Sequence, residues 1–358
     1  MGRMTRNGLE MSFNISRKFQ MIKIFKCICL IFFITACSGK LEFAAKKING
    51  LSLEASRDSL TEKNIKGILE VNPNAIALMP YAFLSDTKNP GLYFNTSRQW
   101  FGERVEGIEQ AIFLLQSKDL QIMLKPHLWV RNGQFTGDIN FSSEEDWGKF
   151  EDSYKEYILL YVHIAEKHKV EIFCIGTELY NFVVTRPEFW KDLILEIRKN
   201  YSGKLVYAEN WDKVDQIMIW EDLDYVGVDA YFPLSSEAVP SKEAIKSGWK
   251  KHKSTLRDLS LEFQKPILFT EYGYRSMDYA LKEPWLSKRG NFILNHNLQA
   301  RALQVLYEEF WDENWFVGGF LWKWHQNENA GGIESDRFTP QNKPAKNVVQ
   351  DHYGKFRN

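Results

Sequence analysis

Four acidic residues stand where an acid is least at ease, each at the end of a short apolar run: Glu178 after "VEIFCIGT", Glu209 in "LVYAEN", Asp229 in "DYVGVDAYF" and Glu271 closing "PILFTE". The ends of the neighbouring apolar runs carry Tyr81, then Lys125, His127 and Trp129, then Asn210 and Trp211, then Tyr231, then Tyr272 and Arg275, then Trp322, Trp324 and His325. Carboxyl groups in pairs, set among flat rings and amides, are the equipment for cleaving a glycosidic bond. One acid protonates the leaving oxygen, a second attacks or activates water, and aromatic faces hold sugar rings. Lys125, His127, Trp129, Asn210, Trp211, Tyr231, Arg275, Trp322 and Trp324 are therefore the expected substrate contacts. From the residues alone, Glu209 and Asp229 are nearly as eligible for catalysis as Glu178 and Glu271.

Other chemistries fit less well. The seven histidines are scattered, and "INGLSLEA" lacks the His-x-His that barrel metallohydrolases carry on a first strand, so no metal site is expected. Cys174 lies inside an apolar run and reads as a core thiol, not a nucleophile. Lys plus Arg and Asp plus Glu both number 46, a balance that points away from nucleic acid.

Residues of this kind must be held by a scaffold, and the periodicity says which. Eight strand-like runs, "INGLSLEA", "NAIALMPY", "LQIMLKPH", "VEIFCIGT", "LVYAEN", "DYVGVDAYF", "PILFTE" and "VGGFLWKW", alternate with segments of helical spacing. Val105, Ile108, Ile112 and Leu115 mark one such helix; Trp147, Phe150, Tyr154, Tyr157, Tyr161 and Ile164 mark another, with "SSEE" at Ser142 to Glu145 as its expected capping box. Eight strands alternating with helices predict an α/β fold, a single (β/α)8 TIM barrel whose chemistry sits at the C-terminal strand ends. An open doubly wound sheet is the other candidate, but "LSLEASRDSL" after the first strand has no Gly-rich fingerprint.

The N-terminus carries an address. From Met21 the chain reads "MIKIFKCICLIFFITACSGK": two lysines, an apolar stretch too short to span a bilayer, and a small-residue site. Ile34 to Cys37 resembles the bacterial lipobox, in which the cysteine is lipidated. Residues 1–37 are thus expected to be an N-terminal extension and lipoprotein signal peptide, with Met21 a plausible second start. Residues 38–47 would be a short tether and residues 48–358 the catalytic barrel of a membrane-anchored, exported lipoprotein.

"IGTELYNF", "FTEYGYRS" and "GGFLWKWH", in that order at the ends of the fourth, seventh and eighth strands, resemble glycoside hydrolase family 113, bacterial β-mannanases of clan A. The similarity of plan runs from about Ile48 to "TPQNKPAKNVV". The resemblance implies a retaining barrel enzyme with Glu178 as general acid/base and Glu271 as nucleophile, acting on β-mannan or manno-oligosaccharides without a cofactor; a β-glycosidase for another β-1,4-glycan and a non-catalytic glycan-binding lipoprotein are the alternatives. Most of clan A has Asn directly before the acid/base to bind the sugar 2-hydroxyl; Thr177 stands there in this chain, and Asn210 is the candidate for that contact. Arg275 or Tyr274 is expected to hydrogen-bond Glu271 and keep it ionised.

Overall fold

The computed structural model describes residues 46–356, residues 289 and 291 excepted. The leader, Cys37 and most of the tether lie outside the described residues. Among the described residues no helix is long and apolar enough to cross a membrane.

Eight parallel strands close into a barrel: β1 (Ile48–Leu53), β2 (Ala75–Leu78), β5 (Gln121–Leu124), β7 (Ile172–Thr177), β8 (Lys204–Asn210), β9 (Tyr225–Asp229), β10 (Ile267–Tyr272) and β11 (Phe316–Trp324), in spatial order β1-β11-β10-β9-β8-β7-β5-β2. All eight are the runs expected from sequence. The interior is filled by small and slender side chains, Ala75, Ala77, Met123, Cys174, Val206, Ala208 and Leu268, around the single ring of Phe320. Gly50 makes room for that ring, since a Cβ there would meet it at 2.3 Å. Cys174 is a fully buried free thiol in this layer, and burial pushes its pKa up to about 11.

The outer ring comprises α1 (Glu62–Leu69), α2 (Val105–Gln116), α3 (Glu144–Lys167), α4 (Tyr180–Thr185), α5 (Pro187–Asn200), α6 (Lys242–Phe263), α7 (His296–Phe310) and α8 (Pro344–Lys355). The apolar stripes read from sequence are the buried ones: Ile108, Ile112 and Leu115 on α2, and Trp147, Phe150, Tyr154, Tyr157, Tyr161 and Ile164 on α3. The cap of α3 falls one residue later than expected and is not a capping box: the Ser143 hydroxyl accepts from the Asp146 amide at 3.1 Å and donates to the Asp146 carboxylate at 2.8 Å. The alternation also breaks once. Between β8 and β9 the described chain makes only two 3-10 turns, Val214–Gln216 and Ile219–Asp222.

Three further short strands rise above the barrel mouth. After Pro80, β3 (Tyr81–Leu84) continues the line of β2; after Pro126, β6 (His127–Val130) continues that of β5; β4 (Tyr93–Phe94) adds an antiparallel edge, giving the order β4-β3-β6. The prolines supply no amide to the ladder, which marks the break. Pairing nevertheless carries across it, with the Lys125 amide donating to Leu78 O and the His127 amide to Pro80 O. The Tyr157 hydroxyl, reaching in from α3, lies 2.9 Å from Pro80 O and 3.0 Å from His127 O.

Candidate active site

Strand parity decides which of the four acids faces the barrel mouth. On β8, Val206 and Ala208 point into the barrel, so Tyr207 and Glu209 point out toward the helices. Glu209 is fully buried there, accepting from the Tyr207 hydroxyl at 2.9 Å and its neighbour's amide, that of Asn210, at 2.8 Å. On β5 and β9 the inward positions are Lys125 and Asp229. Glu271 should follow Phe269 outward, but the pairing of β10 with β9 slips between Phe269 and Glu271, and such an irregularity re-aims the side chain that follows it. The carboxylate turns into the mouth.

There it is held on both oxygens. The Lys125 ammonium donates to Oε1 at 2.6 Å and the Tyr231 hydroxyl to Oε2 at 2.7 Å. Lys125 also meets Asp229 at 3.0 Å, and Thr270 donates to that carboxylate at 2.7 Å. Lys125 and Asp229 are wholly buried and Glu271 is 6% exposed. Burial opposes the charge on Lys125, yet the two acids outweigh it and raise its pKa, so the ammonium persists. Burial and then Asp229 push the Glu271 pKa up to about 7, against the opposing pull of Lys125 and Tyr231.

Glu178 is built in the opposite way. Its backbone sits in the left-handed region at φ 52°, an uncommon place for a side-chain-bearing residue. Three hydrogen bonds fix it: its amide donates to Ala208 O at 2.8 Å, its carbonyl accepts from Thr136 Oγ1 at 3.1 Å, and the Leu179 amide donates to the Tyr207 hydroxyl at 2.8 Å. The carboxyl itself takes no protein hydrogen bond among the described residues and keeps an opening to the mouth. Enclosure on its other sides, then the negative Asp229 and Glu271, push its pKa well up. With one ammonium shared by two carboxylates, this third acid is the one that retains a proton.

Around the pair, His127 lies with Nε2 3.7 Å from Glu271 Oε1, and that nitrogen is buried without a partner. Burial, with Lys125 and Lys323 behind it, drives its pKa well down, leaving a neutral ring. Trp322 lies parallel to it, ring centroids 6.3 Å apart. Tyr81, tilted against His127 at 5.4 Å, has a hydroxyl with no protein partner among the described residues. It stood among the strand-end residues in the sequence but was not separated from them, because only the parity of β3 turns it toward Glu271. Asn210 uses Oδ1 to accept from the Trp211 amide at 3.2 Å, and its amide nitrogen has no protein partner among the described residues. Trp211 stacks on Trp285 at 5.4 Å, and Trp129 is 54% exposed higher on the wall.

Four expected sugar contacts are placed otherwise. Lys125 and Tyr231 brace Glu271 from below, and they, not Arg275 or Tyr274, supply its hydrogen bonds. Arg275 is 2% exposed; it pairs with Asp336, donates to Leu286 O and Lys288 O, and lies over the Phe292 ring at 4.4 Å. It ties two loops together. Trp324 is 3% exposed within the hydrophobic core.

A sequence model described as Glycoside Hydrolase Family 113 matches residues 53–343. Among solved structures, the GH113 β-mannanase AaManA from Alicyclobacillus acidocaldarius, in complex with ManMIm, is similar with a TM-score of 0.76 and 22% identity, over 88% of this chain and 99% of that one. A GH113 β-1,4-mannanase gives 0.74 and 24%, over 86% and 99%. A β-glucuronidase from Ruminococcus gnavus is more distant, at 0.58 and 11%, over 86% of this chain and 50% of that one. A search of curated proteins finds no match. The eight-stranded barrel, the carboxyl groups at its mouth and a family match over most of the described residues lead to one conclusion: the chain is a glycoside hydrolase and belongs to glycoside hydrolase family 113.

Proposed function

We propose that the protein is a retaining β-mannanase that cleaves β-1,4-mannosidic linkages with Glu271 as nucleophile and Glu178 as acid/base. The observation that carries this reading is the contrast in bracing at the mouth: one carboxylate gripped by an ammonium and a phenol, the other left without a protein hydrogen bond among the described residues, its pKa pushed well up. In the first step Glu271 bonds to the anomeric carbon while Glu178 gives its proton to the departing glycosidic oxygen. In the second, Glu178, now a carboxylate, takes a proton from water, whose oxygen attacks the same carbon and frees Glu271. Mannan as substrate is supported by family membership and by the β-mannanases that this chain resembles. His127, Tyr81 and Asn210 offer the unengaged polar atoms that a sugar's hydroxyls require, and Asn210 is the candidate for the axial 2-hydroxyl. The Cys37 lipid anchor is proposed alongside; Cys37→Ala should release the protein from membranes, and a variant that stays bound removes the proposal.

The test is chromatography of products from mannohexaose and, separately, cellohexaose. Shorter manno-oligosaccharides alone, absent with Glu271→Ala, support the assignment. Cleavage of cellohexaose in preference, or undiminished turnover by Glu271→Ala, overturns it.

A further inference from the structure

The sheet above the mouth presents its rings in rungs. Residues paired across neighbouring strands project from the same side. Tyr81 pairs with His127; two residues further on, Phe83 pairs both with Trp129 of β6 and with Tyr93 of β4. The first rung, Tyr81 and His127, stands beside Glu271. The second, Tyr93, Phe83 and Trp129, lies one pleat repeat higher on the same face, the Tyr81 and Phe83 rings 6.3 Å apart. Two inter-strand steps give this second rung a width of roughly 10 Å. The opposite face, with Ala82, Leu84, Leu128 and Val130, is buried in the core, so the sheet is anchored from that side. Tyr93 is 64% and Trp129 54% exposed. Beside them Phe83, Tyr93 and Trp100 line a cavity of about 420 Å³ whose other walls, Thr96, Arg98, Gln99 and Glu103, are hydrogen-bonding side chains.

We propose that the Tyr93–Phe83–Trp129 rung and its adjoining cavity form a glycan subsite that seats hexose units of the substrate chain beyond the one at Glu271. The occupant follows from continuity. The rung shares its face with Tyr81 and His127, which adjoin the nucleophile, so a linear β-1,4-linked chain leaving the catalytic position along this wall meets rings for its apolar faces and polar groups for its edge hydroxyls. The subsite thereby makes turnover depend on substrate length. This assignment rests on the mannanase reading above.

The experiment compares kcat/KM on mannohexaose with that on mannotriose, in wild type, Tyr93→Ala and Tyr93→Phe. Tyr93 sits at an exposed sheet edge, and aromatic side chains are over-represented among the binding-site residues whose truncation costs most. The hexaose-to-triose ratio should fall about tenfold in Tyr93→Ala and be retained in Tyr93→Phe. A structural defect would lower both substrates together, and an unchanged ratio in Tyr93→Ala overturns the subsite. If wild type cleaves neither oligosaccharide, the mannanase reading fails, and electrophoresis through gels containing galactomannan, glucomannan or xylan judges the rung alone. Retardation of wild type that Tyr93→Ala relieves supports it as a glycan subsite; equal mobility of the two overturns it.

Discussion

The two sides of the barrel mouth solve opposite problems with opposite means. On the β9–β10 side, Glu271 hangs from regular backbone apart from one slip in pairing, and its side chain is gripped directly by Lys125 and Tyr231. On the β7–β8 side, the Glu178 side chain is ungripped and its backbone is clamped in the left-handed region by bonds to Ala208, Thr136 and, through Leu179, Tyr207. A group that must stay charged gains from fixed donors. A group that must give up and regain a proton would be locked by them, so it is positioned through the main chain and left free at the carboxyl. Precision in an active site can thus come from the side chain or from the backbone beneath it, and the required change of charge decides which.

The largest expected effect comes from removing the grip. Lys125→Met leaves Asp229 and Glu271 facing each other without a cation, a loss of about 3–5 kcal/mol for breaking a buried pair. Because Glu271 must be ionised, and loss of the ammonium raises its pKa further, activity at neutral pH should collapse and the acid limb of kcat/KM should move to higher pH. An acid limb that stays in place would break the contrast. Loosening the backbone clamp should matter less. Tyr207→Phe strands the Leu179 amide and removes a donor from Glu209; kcat on oligosaccharides should fall about tenfold, a part of the roughly 10²–10⁴-fold that general acid–base catalysis contributes. Aryl glycosides with good leaving groups, which need little protonation, should be much less affected, and an equal loss on both would assign Tyr207 to folding alone.

The smallest effect concerns Glu209. Burial pushes its pKa to about 7, against the opposing pull of the Asn210 amide and the Tyr207 hydroxyl. A carboxyl that holds its proton more tightly when folded contributes stability fully below its ordinary pKa and loses it as pH rises through about 7. Glu209→Gln cannot ionise, so its Tm relative to wild type should rise by a few degrees between pH 5 and pH 8, as read by scanning calorimetry. A constant difference across that range would show that Glu209 is already ionised there in the folded protein and that its pKa is not raised.

Long apolar runs made the barrel legible, because parallel strands covered on both faces read as continuous hydrophobic segments. The stripes of α2 and α3 were legible for the same reason. The rim was not. β3, β4 and β6 are two to four residues long, too short for periodicity to register, and Pro80 and Pro126 read as strand ends when they are breaks within a continuing ladder. The site divides along the same line. All four acids stand out because an acid after a buried strand is unusual, and the resemblance to family 113 is what singles out Glu178 and Glu271; Lys125 and its acidic partners are 104 and 146 residues apart, a convergence that only barrel closure creates. Arg275 and Trp324 were misplaced because nearness in sequence to the mouth says nothing of side-chain direction, and both turn away from it.

The barrel's ring of strands is complete without β3, β4 and β6, which are tied to its rim by the ladder past the two prolines, by Tyr157 reaching in from the outer ring and by the burial of Ala82, Leu84, Leu128 and Val130 in the core. Drift in the rim therefore leaves closure of the ring intact. Substitutions on the outer face of that wall are therefore expected to change what lies beside the acids without disturbing their register.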